Sequence, residues 1–197
     1  MTLRRGDGSL VFQFEVVLKG TSPPIWRRFE APETMTLAQF HDTLQIVMGW
    51  TNSHLHRFVI NGKEYGRPDY EEVWGDEEPL RDERRVRLSS LFKVVPSAFV
   101  YLYDYGDNWT HVLVMDHYRP AAEDDPAPRC LEGERACPPE DVGGEGGYED
   151  LLAILADPSD EEYEDMRLWA GEDFEPEVFD LKAVNLALRM HSRNKGL

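Results

Sequence analysis

Residues 10–49 read LVFQFEVVLKGTSPPIWRRFEAPETMTLAQFHDTLQIVMG, and three periods follow one another in that stretch. From Leu10 to Lys19 the chain alternates: Phe12, Phe14, Val16 and Leu18 point one way, and Gln13, Glu15 and Lys19 the other. A period of two predicts a half-buried strand. Pro23-Pro24 ends it by removing ladder donors, and Ile25 to Ala31 reads as the return strand. Thr36-Leu37-Ala38-Gln39 is a capping box, after which Leu37, Phe40, Leu44, Val47 and Met48 recur at helical spacing up to Gly49.

Working outward, residues 55–65 predict a β-hairpin turning at Asn61-Gly62, the pair best suited to positive φ at both turn positions. The polar stretch 69–87, with Gly75 and Pro79, reads as a surface loop. Residues 98–118 predict a second hairpin around Gly106-Asp107-Asn108, and 120–128 an acidic, proline-containing connector. After the glycines at 143–147 come helical stretches at 148–156, 159–170 and 181–190, the last capped by Asp180. The expectation is an α+β fold with a mixed or antiparallel sheet, a β-grasp-like ββαβ start, two hairpins and an acidic helical C-terminal part, in one domain spanning 1–197.

The chain has 197 residues with 38 acidic and 21 basic side chains. Residues 1–68 carry a net +2, whereas 121–197 hold 21 acids against seven bases. Such a surface repels phosphate backbones, so a protein partner is expected before a nucleic acid, although Arg4, Arg5, Lys19, Arg27 and Arg28 form a local basic patch. No apolar run approaches the ~18 residues of a membrane span. Two cysteines and no secretory signal point to a reduced, cytoplasmic setting.

Three groups of residues can carry chemistry. His54 and His56, two apart on a strand, would share a face with Phe58; they chelate a borderline metal such as zinc, or hydrogen-bond sheet-edge groups beside the aromatics. In the second hairpin, a two-residue loop at Asp107-Asn108 places Asp104 opposite His111, where Asp104 can orient His111 as ligand, base or structural partner. A three-residue loop places Tyr103 there instead. Cys130 and Cys137 lie in a Pro- and Gly-rich stretch expected to form an irregular loop. They are inert thiols, or they bind zinc with help from the histidines. Asp107, Glu140 and Asp141 are carboxylates available to support such a site, and Asp107 also suits a cap of its own turn. Motifs for serine hydrolases, phosphate-binding loops, dinucleotide folds and zincins are absent from the sequence.

Several segments recur in one order: Pro23-Pro24-Ile25-Trp26-Arg27-Arg28; Gly49-Trp50 with His54-Leu55-His56-x-Phe58; Tyr103-Asp104-Tyr105-Gly106-Asp107-x-Trp109-x-His111; the block from Cys130 through Pro138-Pro139-Glu140-Asp141 to Tyr148; and Phe179-Asp180-Leu181. From about Phe12 to Leu188 the chain resembles the plasmid pRiA4b ORF-3-like family, also seen as insertion-element passenger proteins labelled TnpR-like. The resemblance implies a compact α+β fold and no named reaction. It also implies a cysteine where this chain has Val142, one thiolate fewer here for a metal. A recombinase needs a Ser or Tyr nucleophile in an arginine-rich site, and the motif blocks contain no serine but Ser53.

Two functions follow. The first is a non-enzymatic binding or accessory protein tied to plasmid or mobile-element biology, contacting its partner through an exposed strand at Trp26, Arg27 and Arg28. The alternative is a metal-dependent hydrolase or phosphoryl-transfer enzyme using His54, His56, Asp104 and His111.

Overall fold

The computed structural model describes residues 3, 8–69, 80–122, 125 and 128–195. Strands β1 (Leu10–Leu18) and β2 (Ile25–Pro32) pair antiparallel with Phe14 opposite Phe29, and helix α1 (Leu37–Met48) follows. The capping box forms as read: Thr36 Oγ1 accepts from the Gln39 backbone N–H at 3.2 Å, and Gln39 Oε1 accepts from the Thr36 N–H at 2.8 Å. Gly49 closes the helix at φ 108°, where a side chain would be strained. Strands β3 (His56–Ile60) and β4 (Lys63–Gly66) turn at Asn61 and Gly62, both at positive φ.

Strands β5 (Arg81–Asp82), β6 (Ser97–Tyr103), β7 (Trp109–Pro120) and β8 (Arg129–Glu134) complete one sheet in the order β5-β4-β3-β6-β7-β1-β2-β8. Every pairing is antiparallel except β4 with β5. The short helix α2 (Leu88–Leu91) precedes β6, and α3 (Gly144–Ala156), α4 (Tyr163–Ala170) and α5 (Leu181–Lys195) follow β8. The protein is therefore α+β with a mostly antiparallel, open sheet. Because β6 and β7 stand between β3 and β1, the opening ββαβ segment does not close on itself, and the β-grasp likeness rests on element order alone.

Alternation decides which face α1 covers. Phe12, Phe14, Phe29, Phe58, Phe99, Leu113 and Met115 all point to one side. Phe40 of α1 lies 4.7–6.2 Å from the rings of Phe14, Phe29, Phe58 and Phe99. Each such buried ring stabilises the fold by roughly 1.5–3 kcal/mol through water release. Gln13, Glu15 and Val112 remain partly solvated on the other face, as expected for a sheet covered on one side.

Four expectations need correction. The stretch 69–87 is not simply a surface loop. Residues 70–79 lie outside the described ones, but β5 adds to the sheet and a 3-10 turn at Glu83–Arg85 buries Glu83, with Arg84 drawing Asp69 and Asp82 together. The β6–β7 hairpin takes neither expected register: Tyr103 faces Trp109 and Tyr101 faces His111 across a five-residue connection. Asp104 and Asn108 adopt φ 57°, and Asp104 Oδ1 accepts the Gly106 N–H at 2.8 Å, which stabilises the longer loop. Cys130 lies in strand β8 rather than an irregular loop, because residues 129–134 pair with the free edge of β2.

Finally, Arg27 is not an exposed contact. With β8 beside it, β2 is an inner strand, and its alternation turns Arg27 inward opposite Val16, 1% exposed. Its guanidinium donates to the carbonyls of Val47 (2.9 Å), Glu134 (2.6 Å) and Arg135 (2.7 Å) and lies 4.0 Å from the Phe179 ring centroid. The cation thus satisfies the C-terminal end of α1. Arg28 is half-buried, bridging Glu15 and Glu132, and is stacked 5.8 Å from the Trp26 ring.

Candidate metal centre

The chain leaving α1 at Gly49 is held from three sides. Trp50 Nε1 donates to His111 Nε2 at 3.2 Å, the Asn52 N–H to Gln45 Oε1 at 2.8 Å, and the Ser53 N–H to the Tyr103 hydroxyl at 2.9 Å. Glu140 Oε1 accepts from the Thr51 N–H, the Thr51 hydroxyl and the Tyr103 hydroxyl, at 2.7, 3.0 and 3.0 Å. Asp107 Oδ2 accepts the Gly143 N–H at 3.0 Å, tying the β6–β7 loop to the segment before α3. Asp107 is therefore a brace. These bonds fix three loops around one imidazole, that of His54.

His54 Nε2 lies 3.2 Å from Asp141 Oδ1, 3.7 Å from Asp104 Oδ2 and 3.7 Å from Glu140 Oε2. Neither His54 Nε2 nor Glu140 Oε2 has a hydrogen-bond partner, though both atoms are buried. One donor atom from each of His54, Asp104 and Asp141 fits within 4.8 Å. Metal bonds of about 2.1 Å at the tetrahedral angle put donor atoms about 3.4 Å apart, so the separations around Nε2 already match a cation's coordination edges. Asp104 and Asp141 both sit at positive φ, 57° and 59°, a conformation that non-glycine residues adopt at some cost. Asp141 is 73% exposed and faces solvent, whereas Asp104 is buried.

The other candidate ligands lie elsewhere. His54 precedes β3, outside its period of two, and the two histidines meet different carboxylates. His56 Nε2 meets buried Glu83 at 2.8 Å, and its ring stacks on His41, whose own nitrogens bond Tyr101 and Asn52. His111 is fully buried; burial pushes its imidazole down to about 4, which suits the neutral acceptor of the Trp50 N–H. Cys130 Sγ donates to the carbonyls of Arg28 and Glu132, and burial raises its thiol to about 11. Burial likewise pushes the Cys137 thiol up. Among the described residues, the one group of three or more potential metal donors is His54, Asp104 and Asp141.

His54, Asp104, Glu140 and Asp141 are legible in the sequence, the last two only as supports. His41, Glu83, Thr51 and Tyr103 emerge as partners only in the structure. His41 and Gln45 were visible, since they fall four apart on the buried stripe of α1; Glu83 carried no periodic signal. A pocket of about 400 Å³ opens beside His54, with His41, Asn52, His56, Arg67 and Glu83 in its walls.

A relative from Sinorhizobium fredii (strain NBRC 101917 / NGR234), uncharacterized protein y4hQ, is 38% identical over 180 residues, which cover 90% of each chain. The crystal structure of protein of unknown function MM3350 from Methanosarcina mazei Go1 superposes with a TM-score of 0.78 at 39% identity, covering 89% of this chain and 97% of that one. The family model described as plasmid pRiA4b ORF-3-like protein matches residues 10–183, across the sheet, the His54 cluster and the start of α5. The chain belongs to the plasmid pRiA4b ORF-3-like family.

Proposed function

We propose that this protein binds one divalent cation through His54, Asp104 and Asp141, with Glu140 braced beside them, and that it acts as a metal-dependent hydrolase or phosphoryl-transfer enzyme. The buried, unpartnered Nε2 of His54 among three carboxylates carries this reading. One nitrogen with carboxylate oxygens suits zinc or manganese. A cation there supplies Lewis-acid chemistry, polarising a phosphoryl or carbonyl oxygen and acidifying water. The protein's own groups do the rest. Tyr103 and Thr51 orient Glu140, Asp104 is held by its own turn, and the exposed Asp141 leaves one side of the centre open to substrate.

The accessory-protein reading draws support from the same bonds: a cation would then staple the loops at 50–54, 104–108 and 139–143 without turnover. An association with plasmids rests on the family's description, and a protein partner on the negative surface. Elemental analysis of chelator-free protein, with melting before and after EDTA, tests cation binding. Hydrolysis of bis(p-nitrophenyl) phosphate by metal-loaded protein then separates the two readings. Absence of stoichiometric metal with an unchanged melt overturns both forms of the site.

A further inference from the structure

A second site of different chemistry lies at the far edge of the sheet. Residues 121–197 hold only seven basic side chains, and three of them, Arg129, Lys182 and Arg189, line one groove of about 610 Å³ between β8 and α5. Among the described residues no carboxylate lines it; its apolar surface comes from Pro128, Leu131 and Leu181. Lys182, Asn185 and Arg189 stand three and four residues apart, so they share one face of α5. Arg129 is paired with Glu30 at 2.8 Å, whereas Lys182 and Arg189 have no ion pair among the described residues.

The groove does not suit an added β-strand. Asn185 Nδ2 donates to the Cys130 carbonyl at 2.9 Å and Asn185 Oδ1 accepts the Cys130 N–H at 3.0 Å, so the β8 edge is already capped there. Nor does it suit a duplex, whose width would bring phosphates against the 21 acids of this region. Its volume falls in the range of small-ligand sites, roughly 300–1,000 Å³. We propose that this groove binds a small amphipathic organic anion, its carboxylate or phosphate head between Lys182 and Arg189 and its apolar body against Leu131 and Leu181.

The test is a titration of 15N-labelled full-length protein with octanoate and octyl phosphate, with octan-1-ol and octylamine as controls. Saturable shifts of the Leu131 amide and the Asn185 side-chain amide are expected with the anions. The double variant K182E/R189E, at exposed positions and checked by melting, should bind at least about tenfold more weakly. Reversing two distant charges in K63E/R85E should leave binding unchanged. Tighter binding of octyl phosphate identifies phosphate as the head group, tighter octanoate a carboxylate, and either supports the site. Equal binding of octanol, equal loss in both variants, or no saturable shift overturns it. So does binding of an acidic peptide or a DNA duplex at these residues without the alkyl anions.

Discussion

The imidazole of His41 lies flat on that of His56, ring centroids 3.5 Å apart and planes 5° apart. Burial, then the neighbouring His56, pushes His41 down to about 3, and burial pushes His111 down to about 4. Both values lie below that of an imidazole in the unfolded chain, near 6.5. As pH falls through 6.5 the unfolded chain takes up protons that the folded one refuses. The stability these residues contribute is therefore complete above 6.5 and is lost on acidification, until the folded groups themselves titrate. Each contributes a slope of up to about 1.4 kcal/mol per pH unit. Urea unfolding at about pH 7 and about pH 5 should show this loss, and H111F should have the shallower dependence.

Arg27 and Arg28 are neighbours with opposite fates. R27A removes a buried cation that serves several carbonyls and stacks on Phe179. It should cost about 3 kcal/mol or more, whereas R28A should cost under about 1 kcal/mol because its pairs are partly solvated. Equal losses in chemical denaturation would contradict the assignment of Arg27 to the core.

Cation affinity should separate the histidines. H54A and D141A are expected to lower metal content at least about tenfold, while H56A and H111A, whatever their effect on stability, should retain it once folded. D141A is the cleaner variant, since its side chain is largely exposed. Metal retained by D141A and lost by H56A would move the centre to the other side of His54.

Gly133 faces Arg27 across the β2–β8 pair. A Cβ there would meet Arg27 Cδ at 2.6 Å, the Trp26 carbonyl oxygen at 2.8 Å and Phe179 Cε1 at 2.9 Å. Backbone cannot yield as a side chain can, so G133A should destabilise by about 1–3 kcal/mol or more. Thermal melting checks it.

Both cysteines should be slow towards thiol reagents. Burial raises both thiols, and the thiolate is the reactive form. Modification should require unfolding in urea, and fast labelling of the native protein would show a more open environment around β8.

Local signals in the sequence determined the first half of the fold. The alternation from Leu10, the box at Thr36 and Gln39, and the Asn61-Gly62 turn each act between residues at most a few positions apart, so their geometry is written where they stand. The same holds for Asp180, whose carboxylate accepts the N–H groups of Lys182 and Ala183 at the start of α5. Tertiary structure decided which charges are buried and which carboxylates meet. The alternation of β2 puts Arg27 on the face of Ile25 and Phe29, but nothing local shows that β8 covers the far edge and brings it the Glu134 and Arg135 carbonyls, because that strand lies about 100 residues away. His54 and His56 looked equivalent by spacing. They part because the strand starts between them, leaving His54 to Asp104 and Asp141 and His56 to Glu83. Partners brought together by loops of no fixed period leave no periodic trace in sequence, and the candidate centre is built almost wholly of such contacts.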